Sequence, residues 1–252
     1  MEFSFDLISD LNIVHSLNWS SQPTSLLCVV AGNLAQDRSV LLESLKHLGK
    51  QYQSVFYIDG SIEHINQSDN IKDSYADLAR EICNIDNVVY LEDAAVIIDG
   101  CALVGVNGWW THDFNPHIMP IESEQFLKNA WSCNDSTIDQ LFARAVTDSL
   151  YLIANIKKLQ TYPEVKKIII ISNTVPNSLL LANDTVLQNS IQINLMGNST
   201  LTSCLDQDFE DKISTWCFGG YCQAIDQTIG NIRYVSNPMG ITEYYPKRIT
   251  LG

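Results

Sequence analysis

Five short apolar runs, each followed by a polar or glycine-containing loop, constrain the fold of this chain more than any other feature. The clearest run is Lys167–Ser172, which reads Lys-Ile-Ile-Ile-Ile-Ser, and a second is Leu26–Ala31, bounded by Pro23 and Gly32. Continuous apolar runs of this length are typical of strands buried on both faces of a parallel sheet. The pattern therefore predicts an α/β fold whose loops gather at the carboxyl edge of the strands, where such folds bind ligands.

The first of these runs places a carboxylate at the carboxyl edge of the predicted strands. Residues 3–10 alternate weakly between apolar and polar side chains and end on Asp10. A strand that ends in this way places its acidic group among the loops that follow the other strands. Asp10 is therefore the first candidate site residue. The alternative is that its carboxylate only accepts backbone N–H groups at the strand end.

Helices are predicted between the strands, because apolar residues recur at helical spacing in segments 37–52, 71–83 and 136–159. The alternation predicts one layered α/β domain over residues 1–252, with two central sheets or one mixed sheet. Further predicted elements are strands at 54–58, 88–91, 95–98, 101–107, 191–195, 215–218 and 232–235, a hairpin turn at Asp99-Gly100, an irregular segment at 108–135 and a short acidic helix or turn at 206–213.

The charge of the chain excludes two classes of partner. A net charge of −14 and an isoelectric point near 4.5 argue against a surface that binds nucleic acid or an anionic membrane. No run is long and apolar enough to span a bilayer, and Glu2 and Asp6 interrupt any apolar start. We therefore expect no signal peptide, no membrane insertion and a cytoplasmic protein.

The seven cysteines are an odd number and lie mostly within apolar runs. This is typical of buried free thiols in a reducing compartment, and not of a disulfide framework. The alternative is that Cys217 and Cys222 form a pair of soft-metal ligands.

The five loop ends read Asp10-Leu11-Asn12, Gly32-Asn33, Gly60-Ser61-Ile62-Glu63, Asn173 after the isoleucine run, and Gly219-Gly220-Tyr221-Cys222. Their order and spacing resemble the calcineurin-like metallophosphoesterases over nearly the whole chain. Members of that family carry Asp-x-His, Gly-Asp, Gly-Asn-His-Glu/Asp, a single His and Gly-His-x-His at these places. The resemblance implies an α/β fold of the metallophosphoesterase type, a layered αββα sandwich with two central mixed β-sheets flanked by helices.

The resemblance also implies where chemistry would lie. In the family, two divalent cations at these loop ends activate a water molecule that attacks phosphorus. Carried over position by position, only Asp10 survives of eight such sites, and the vestigial active-site positions are Asp10, Asn12, Asn33, Ser61, Ile62, Asn173, Gly220 and Cys222. Asn33 supplies a dipole where the family has a bridging carboxylate, and Ile62 cannot move a proton. We therefore assign no catalytic residue and no metal ligand, and expect no cofactor.

Two functions are compatible with these losses. The first is a catalytically inactive metallophosphoesterase-like protein that acts as a protein-interaction or scaffold module, and so has a protein partner. The second is a divergent phosphoesterase that hydrolyses phosphomonoesters or phosphodiesters with a reduced or rebuilt site for Mn, Mg or Zn. A third, weaker hypothesis is a pocket that binds a nucleotide or phosphate without cleaving it.

Some neighbouring residues leave alternatives open. Glu63, His64, His112 and Asp113 could form a rebuilt site with Asp10, although exposed acids and histidines in loops are usually only solvated. The pair Trp109-Trp110 either packs its loop onto the core or is exposed as an interface anchor. An inactive scaffold predicts an exposed apolar patch, which we expect in segment 108–120 or 177–200.

Overall fold

The computed structural model describes residues 3–14, 22–64, 70–92, 94–131, 135–188, 190–239 and 244–251. The strands in these ranges are β1 Phe3–Ile8, β2 Leu27–Ala31, β3 Ser54–Ile58, β4 Val88–Tyr90, β5 Ala95–Ile98, β6 Cys101–Val106, β7 Lys167–Ser172, β8 Ile213–Phe218, β9 Ile225–Ile229, β10 Ile232–Ser236 and β11 Lys247–Leu251. The α-helices are α1 Arg38–Gln51, α2 Ile71–Ile82, α3 Pro120–Trp131, α4 Asp135–Gln160 and α5 Thr185–Gln188. Segments Ser178–Leu181, Ile191–Leu195 and Leu201–Gln207 are 3₁₀ helices.

The strands form two mixed sheets. The first has the order β11-β1-β2-β3-β4 and is parallel except for β11. The second has the order β5-β6-β7-β8-β10-β9 and is parallel except for its edge strands β5 and β9. The carboxyl ends of the parallel strands therefore lie at one edge of each sheet, as the sequence predicts.

The two sheets pack face to face and carry helices on their outer faces. In β7, Ile169 and Ile171 face the first sheet, whereas Ile168 and Ile170 face the layer that contains α4. The outer face of the first sheet is covered by apolar residues of α1 and α2. Both faces of the central strands are thus buried, which is why these strands have continuous apolar sequences. The predicted αββα sandwich with two central mixed β-sheets is confirmed.

Helix α1 shows how local sequence sets an element boundary. The Asp37 side chain accepts hydrogen bonds from the backbone N–H groups of Ser39 and Val40, which otherwise lack helical partners. Leu41, Leu45 and Leu48 form the buried face of the helix. No helix in the described ranges is long and apolar enough to cross a membrane.

Two predicted elements are wrong. Residues 191–195 form a 3₁₀ helix and not a strand, because the Ser190 side chain caps the N–H of Gln192 and buried Asn194 bonds across to the 112–118 loop. The segment predicted to be irregular at 108–135 contains α3, which begins with Pro120 at a position where proline favours a helix. Strands β9 and β11 were not predicted. Strand β8 begins at Ile213, within the segment expected to be an acidic helix or turn.

Candidate functional site

The loop ends of the two sheets meet at one place. A Cβ atom built on Gly32, which follows β2, would overlap the side chain of Asn173, which follows β7. A Cβ on Gly219, which follows β8, would lie 3.1 Å from Oδ2 of Asp10, which follows β1. Gly32 has a φ of +78°, so its backbone also favours glycine. The structure thus brings together Asp10, Asn173 and the glycine loops, as the resemblance implies.

Asp10 is held by hydrogen-bond donors. Its Oδ1 accepts from Asn33 Nδ2 and from the backbone N–H of Gly220, both at 2.8 Å. Its Oδ2 is buried and has no hydrogen-bond partner. Burial raises the pKa of Asp10 to about 7, and the hydrogen bonds from Asn33 and Gly220 only partly oppose this rise. Asp10 therefore lies in a site that disfavours its charged form.

Two amide oxygens converge beside Asp10. A Cβ on Gly60 would overlap Asn33 Oδ1 and lie 2.6 Å from Asn173 Oδ1, so both oxygens occupy the space above this glycine. Asn33 Oδ1 accepts from the backbone N–H of Ile62 at 3.3 Å, whereas Asn173 Oδ1 is buried without a hydrogen-bond partner. Both ends of the Asn33 amide are therefore engaged within the protein.

The remaining vestigial positions contribute little to the site through their side chains. Asn12 is exposed, and its Nδ2 donates to the backbone carbonyl of Asp10 at 2.9 Å. Ser61 Oγ lies 3.5 Å from Asn33 Oδ1, and Ile62 contributes its backbone N–H. Cys222 is exposed, and partial burial together with the negative charge of Asp10 raises its pKa.

Cys222 does not pair with Cys217. Cys217 is fully buried and belongs to the core between the sheets, whereas Cys222 is exposed beyond the end of β8. The soft-metal pair is therefore wrong. The six described cysteines are free thiols, and Cys133 lies outside the described residues.

Glu63 ties two strand-end loops together. Its Oε1 accepts from the backbone N–H groups of Leu34 and Ala35, and its Oε2 accepts from that of Gly60. Burial, followed by the negative charge of Asp59, raises the pKa of Glu63 to about 7. Both oxygens bond to the backbone, so Glu63 has a structural role in this arrangement.

His112 and Asp113 lie in another place. They line a cavity of about 410 Å³ together with side chains from the starts of α3 and α4. Asp113 accepts a hydrogen bond from Ser199, and both ring nitrogens of His112 are buried without a partner. Burial lowers the pKa of His112. Among the described residues, no hydrogen bond or ion pair joins Glu63, His112 or Asp113 to Asp10, and the rebuilt site stays a prediction.

The tryptophan pair is buried. Trp109 is 0% exposed and Trp110 6% exposed, and Trp109 Nε1 donates to the hydroxyl of Tyr75 at 2.8 Å. The prediction that the pair packs its loop onto the core is confirmed, and the prediction of an exposed interface anchor is wrong. The exposed apolar side chains of the two expected segments are instead Met119, Leu179 and Val186.

The sequence analysis missed a buried polar network next to the site. Asp59 accepts from Tyr90, Asn107 and His64, and the other ring nitrogen of His64 bonds to Ser74. Burial opposes ionisation of Asp59, but the hydrogen bond and charge of His64 outweigh it and hold the pKa of Asp59 at about 2. The sequence does place Asp59 directly after β3, at the same edge of the sheet at which Asp10 follows β1. This position could have identified Asp59 as a candidate site residue.

Two divalent cations do not fit these residues. A dinuclear centre needs an anionic oxygen between the metals, and Zn or Mn also prefers imidazole or carboxylate ligands. Asn33 supplies no charge and already uses both ends of its amide. In the described ranges, no group of three or more His, Cys, Asp or Glu is placed to hold a metal ion. For one hard cation, the unpartnered buried oxygens at these strand ends are Asp10 Oδ2 and Asn173 Oδ1.

Comparison with known proteins identifies the fold. Neither a family model nor a curated protein sequence matches the chain. Among solved structures, the phosphopantetheinyl hydrolase PptH from Mycobacterium tuberculosis superposes with a TM-score of 0.67 at 16% identity, over 94% of this chain and 89% of that one. The chain has a metallophosphoesterase-like fold.

A second similar structure agrees with this fold. It is a protein from Staphylococcus aureus assigned as a 5′-nucleotidase and solved in complex with alpha-ketoglutarate. Its TM-score is 0.50 at 11% identity, over 94% of this chain and 49% of that chain, so this chain spans about half of its length. Both similar structures are calcineurin-like metallophosphoesterases. At these identities the likeness concerns the metallophosphoesterase-like fold alone.

Proposed function

We propose that this chain is a catalytically inactive metallophosphoesterase-like protein that acts as a protein-interaction or scaffold module. The observation that carries the proposal is the bonding of Asp10. The retained acid accepts N–H groups from Asn33 and Gly220, at the positions where the family has a bridging carboxylate and a histidine ligand. Hydrogen-bond donors thus lie where the family has metal ligands, and they compensate the charge of this acid only in part.

The proton chemistry of hydrolysis is also unsupported. The position of the family's general acid/base histidine holds Ile62, which has no titratable group. The nearby acid Glu63 bonds to three backbone N–H groups, and His64 is fully buried against Asp59. These contacts favour structural roles for both groups.

The second candidate is a divergent phosphoesterase with a reduced metal site. The observation that favours it is the pair of unpartnered oxygens, Asp10 Oδ2 and Asn173 Oδ1, buried at the strand ends. Carboxylate and amide oxygens suit Mg²⁺ better than Zn²⁺. Two protein ligands would leave most of the coordination shell of such an ion to water or substrate.

Metal content and turnover together test the proposal. The protein would be purified with Mn present and measured by elemental analysis, then assayed with nitrophenyl phosphate and bis-nitrophenyl phosphate in Mn, Mg or Zn. We expect well below one metal per chain and equal background rates for wild type and Asp10→Ala. Two transition metals per chain, or turnover that Asp10→Ala abolishes, would contradict the inactive assignment and support the phosphoesterase.

A further inference from the structure

The solvent-facing side of α4 is apolar over several turns. Phe142 is 47% exposed, Val146 39% and Leu150 60%. Ala143, Thr147 and Ala154 are exposed on the same side, so the exposed positions between Asp139 and Lys157 carry no charge. A surface helix normally places its charged residues on this side. We call the exposed face from residue 142 to residue 154 the α4 stripe.

The α4 stripe is not needed to attach α4 to its own core. The opposite side of the helix is buried through Leu141, Ala145, Leu152 and Ile156. Asp148, also on that side, accepts the backbone N–H of Gly108 at 2.8 Å. Within the described ranges, Val146 and Leu150 therefore remain apolar and exposed, whereas Phe142 borders the cavity of His112 and Ile153 is partly buried against the core.

The spacing along the stripe is that of a coiled-coil seam. Successive steps of four and three residues connect, in order, Asp139, Ala143, Val146, Leu150, Ile153 and Lys157. Alternation of three and four is the heptad pattern with which one helix packs against another. The seam begins with an acid and ends with a base, and its 18 residue steps span about 27 Å along the helix.

The seam is complementary to a second copy of itself that runs in the opposite direction. If two copies of the seam run antiparallel about a midpoint at residue 148, Val146 lies opposite Leu150 and small Ala143 lies opposite larger Ile153. The same register places Asp139 opposite Lys157. A parallel pair would instead place Asp139 against Asp139 and Lys157 against Lys157.

We propose that the α4 stripe is a self-association surface, through which two copies of this chain pair with their α4 helices antiparallel about a two-fold axis near residue 148. Such an interface is isologous, so each complementary contact occurs twice. The proposal holds for an active or an inactive metallophosphoesterase-like site. A seam on one helix is a small interface, and we therefore expect a dimer that dissociates on dilution.

Sedimentation velocity over a range of protein concentrations tests the surface. Wild type should change from monomer to dimer as its concentration rises. Leu150→Lys should remain monomeric, because it buries two charges at the centre of the seam. The matched control is Val186→Lys, which places the same charge on a side chain that is 82% exposed and lies outside the stripe. This control should dimerise like wild type.

Charge exchange tests the antiparallel register without altering the apolar centre. Asp139→Lys places lysine against Lys157 twice, and Lys157→Glu places two acids together twice, so each should weaken dimerisation about tenfold. The double variant Asp139→Lys/Lys157→Glu restores both opposite pairs and should recover wild-type affinity. Circular dichroism would confirm that each variant is folded.

Three results would overturn the inference. Wild type could remain monomeric at every concentration, or its dimer could be unaffected by Leu150→Lys. The double charge variant could also be at least as weak as the single variants, which would exclude the antiparallel register. If Leu150→Lys does not fold, the charge variants alone decide the outcome, because they alter only exposed positions.

Discussion

Replacing Asp10 by asparagine tests how the retained acid is compensated. Asp10 Oδ1 accepts two N–H donors, from Asn33 and Gly220, while its Oδ2 is buried without a partner. An asparagine in the same orientation keeps an accepting oxygen at the first position and places an NH₂ group at the second. Asp10 has a φ of +51°, a left-handed conformation that asparagine also tolerates. The substitution therefore removes the charge with little change in shape.

The size and sign of the effect follow from the pKa. Burial raises the pKa of Asp10 from 3.8 to about 7, so between these values the folded protein holds a proton that the unfolded chain has lost. The contribution of Asp10 to wild-type stability therefore falls as pH rises from about 4 to about 7. The full loss is about 4 kcal/mol, at about 1.4 kcal/mol per pKa unit. Asp10→Asn avoids this loss. Its free energy of unfolding should therefore exceed that of wild type only slightly at pH 4, and by up to about 4 kcal/mol at pH 8.

Urea unfolding of both proteins from pH 4 to pH 8.5, in EDTA, measures this difference. The control is Asp99→Asn, since Asp99 is exposed, precedes a glycine and has a similar φ of +48°. Asp99→Asn should show the same dependence of the free energy of unfolding on pH as wild type. The raised pKa of Asp10 would be contradicted if wild type were more stable than Asp10→Asn at pH 8, or if the difference between the two proteins did not vary with pH. A reversal of the order when Mg²⁺ is added would show that Asp10 binds a cation.

Two other substitutions test the structural roles of buried groups. Glu63→Ala leaves three backbone N–H groups without their acceptor and should lower the free energy of unfolding by about 3 kcal/mol in a urea titration at pH 5, below the raised pKa of Glu63. Exposed Glu43→Ala is the control, and equal losses in both would contradict the role of Glu63. Trp109→Phe removes the hydrogen bond to Tyr75 and buried volume, and should cost about 2 kcal/mol in a thermal melt without changing dimerisation. An unchanged melting temperature would argue against this packing role.

The sequence predicts the fold well wherever strands are buried on both faces. The isoleucine run of β7 contacts the other sheet on one face and the layer containing α4 on the other, so every residue in it is apolar. Edge strands lack this signal. Strand β9 reads Ile-Asp-Gln-Thr-Ile, and its three central residues are exposed. Its pairing with β10 depends on backbone hydrogen bonds, which leave no pattern in the side chains.

The candidate site is predictable in position but not in bonding. Because parallel strands end at a common edge, the sequence places Asp10, Asn33 and Asn173 near one another. It does not reveal that the Asn33 amide donates to Asp10 across 23 residues, or that Gly220 does so across 210. These bonds depend on side-chain rotamers and on how the two sheets are packed. The bond between buried His64 and Asp59 was not predicted, for the same reason.

Two buried acids, Asp10 and Glu63, connect the strand-end loops through hydrogen bonds. Asp10 joins the loops that follow β1, β2 and β8, through its bonds to Asn33 and Gly220. Glu63 joins the loops that follow β2 and β3, since it accepts from Leu34 and Gly60. Together they cross-link four loops from both sheets, which is the mechanical role that bridging metals have in a dinuclear centre. Hydrogen bonds of this kind preserve the positions of the loops but supply no activated water. If the proposed inactive assignment holds, these bonds would maintain the loops of the fold in the absence of its chemistry.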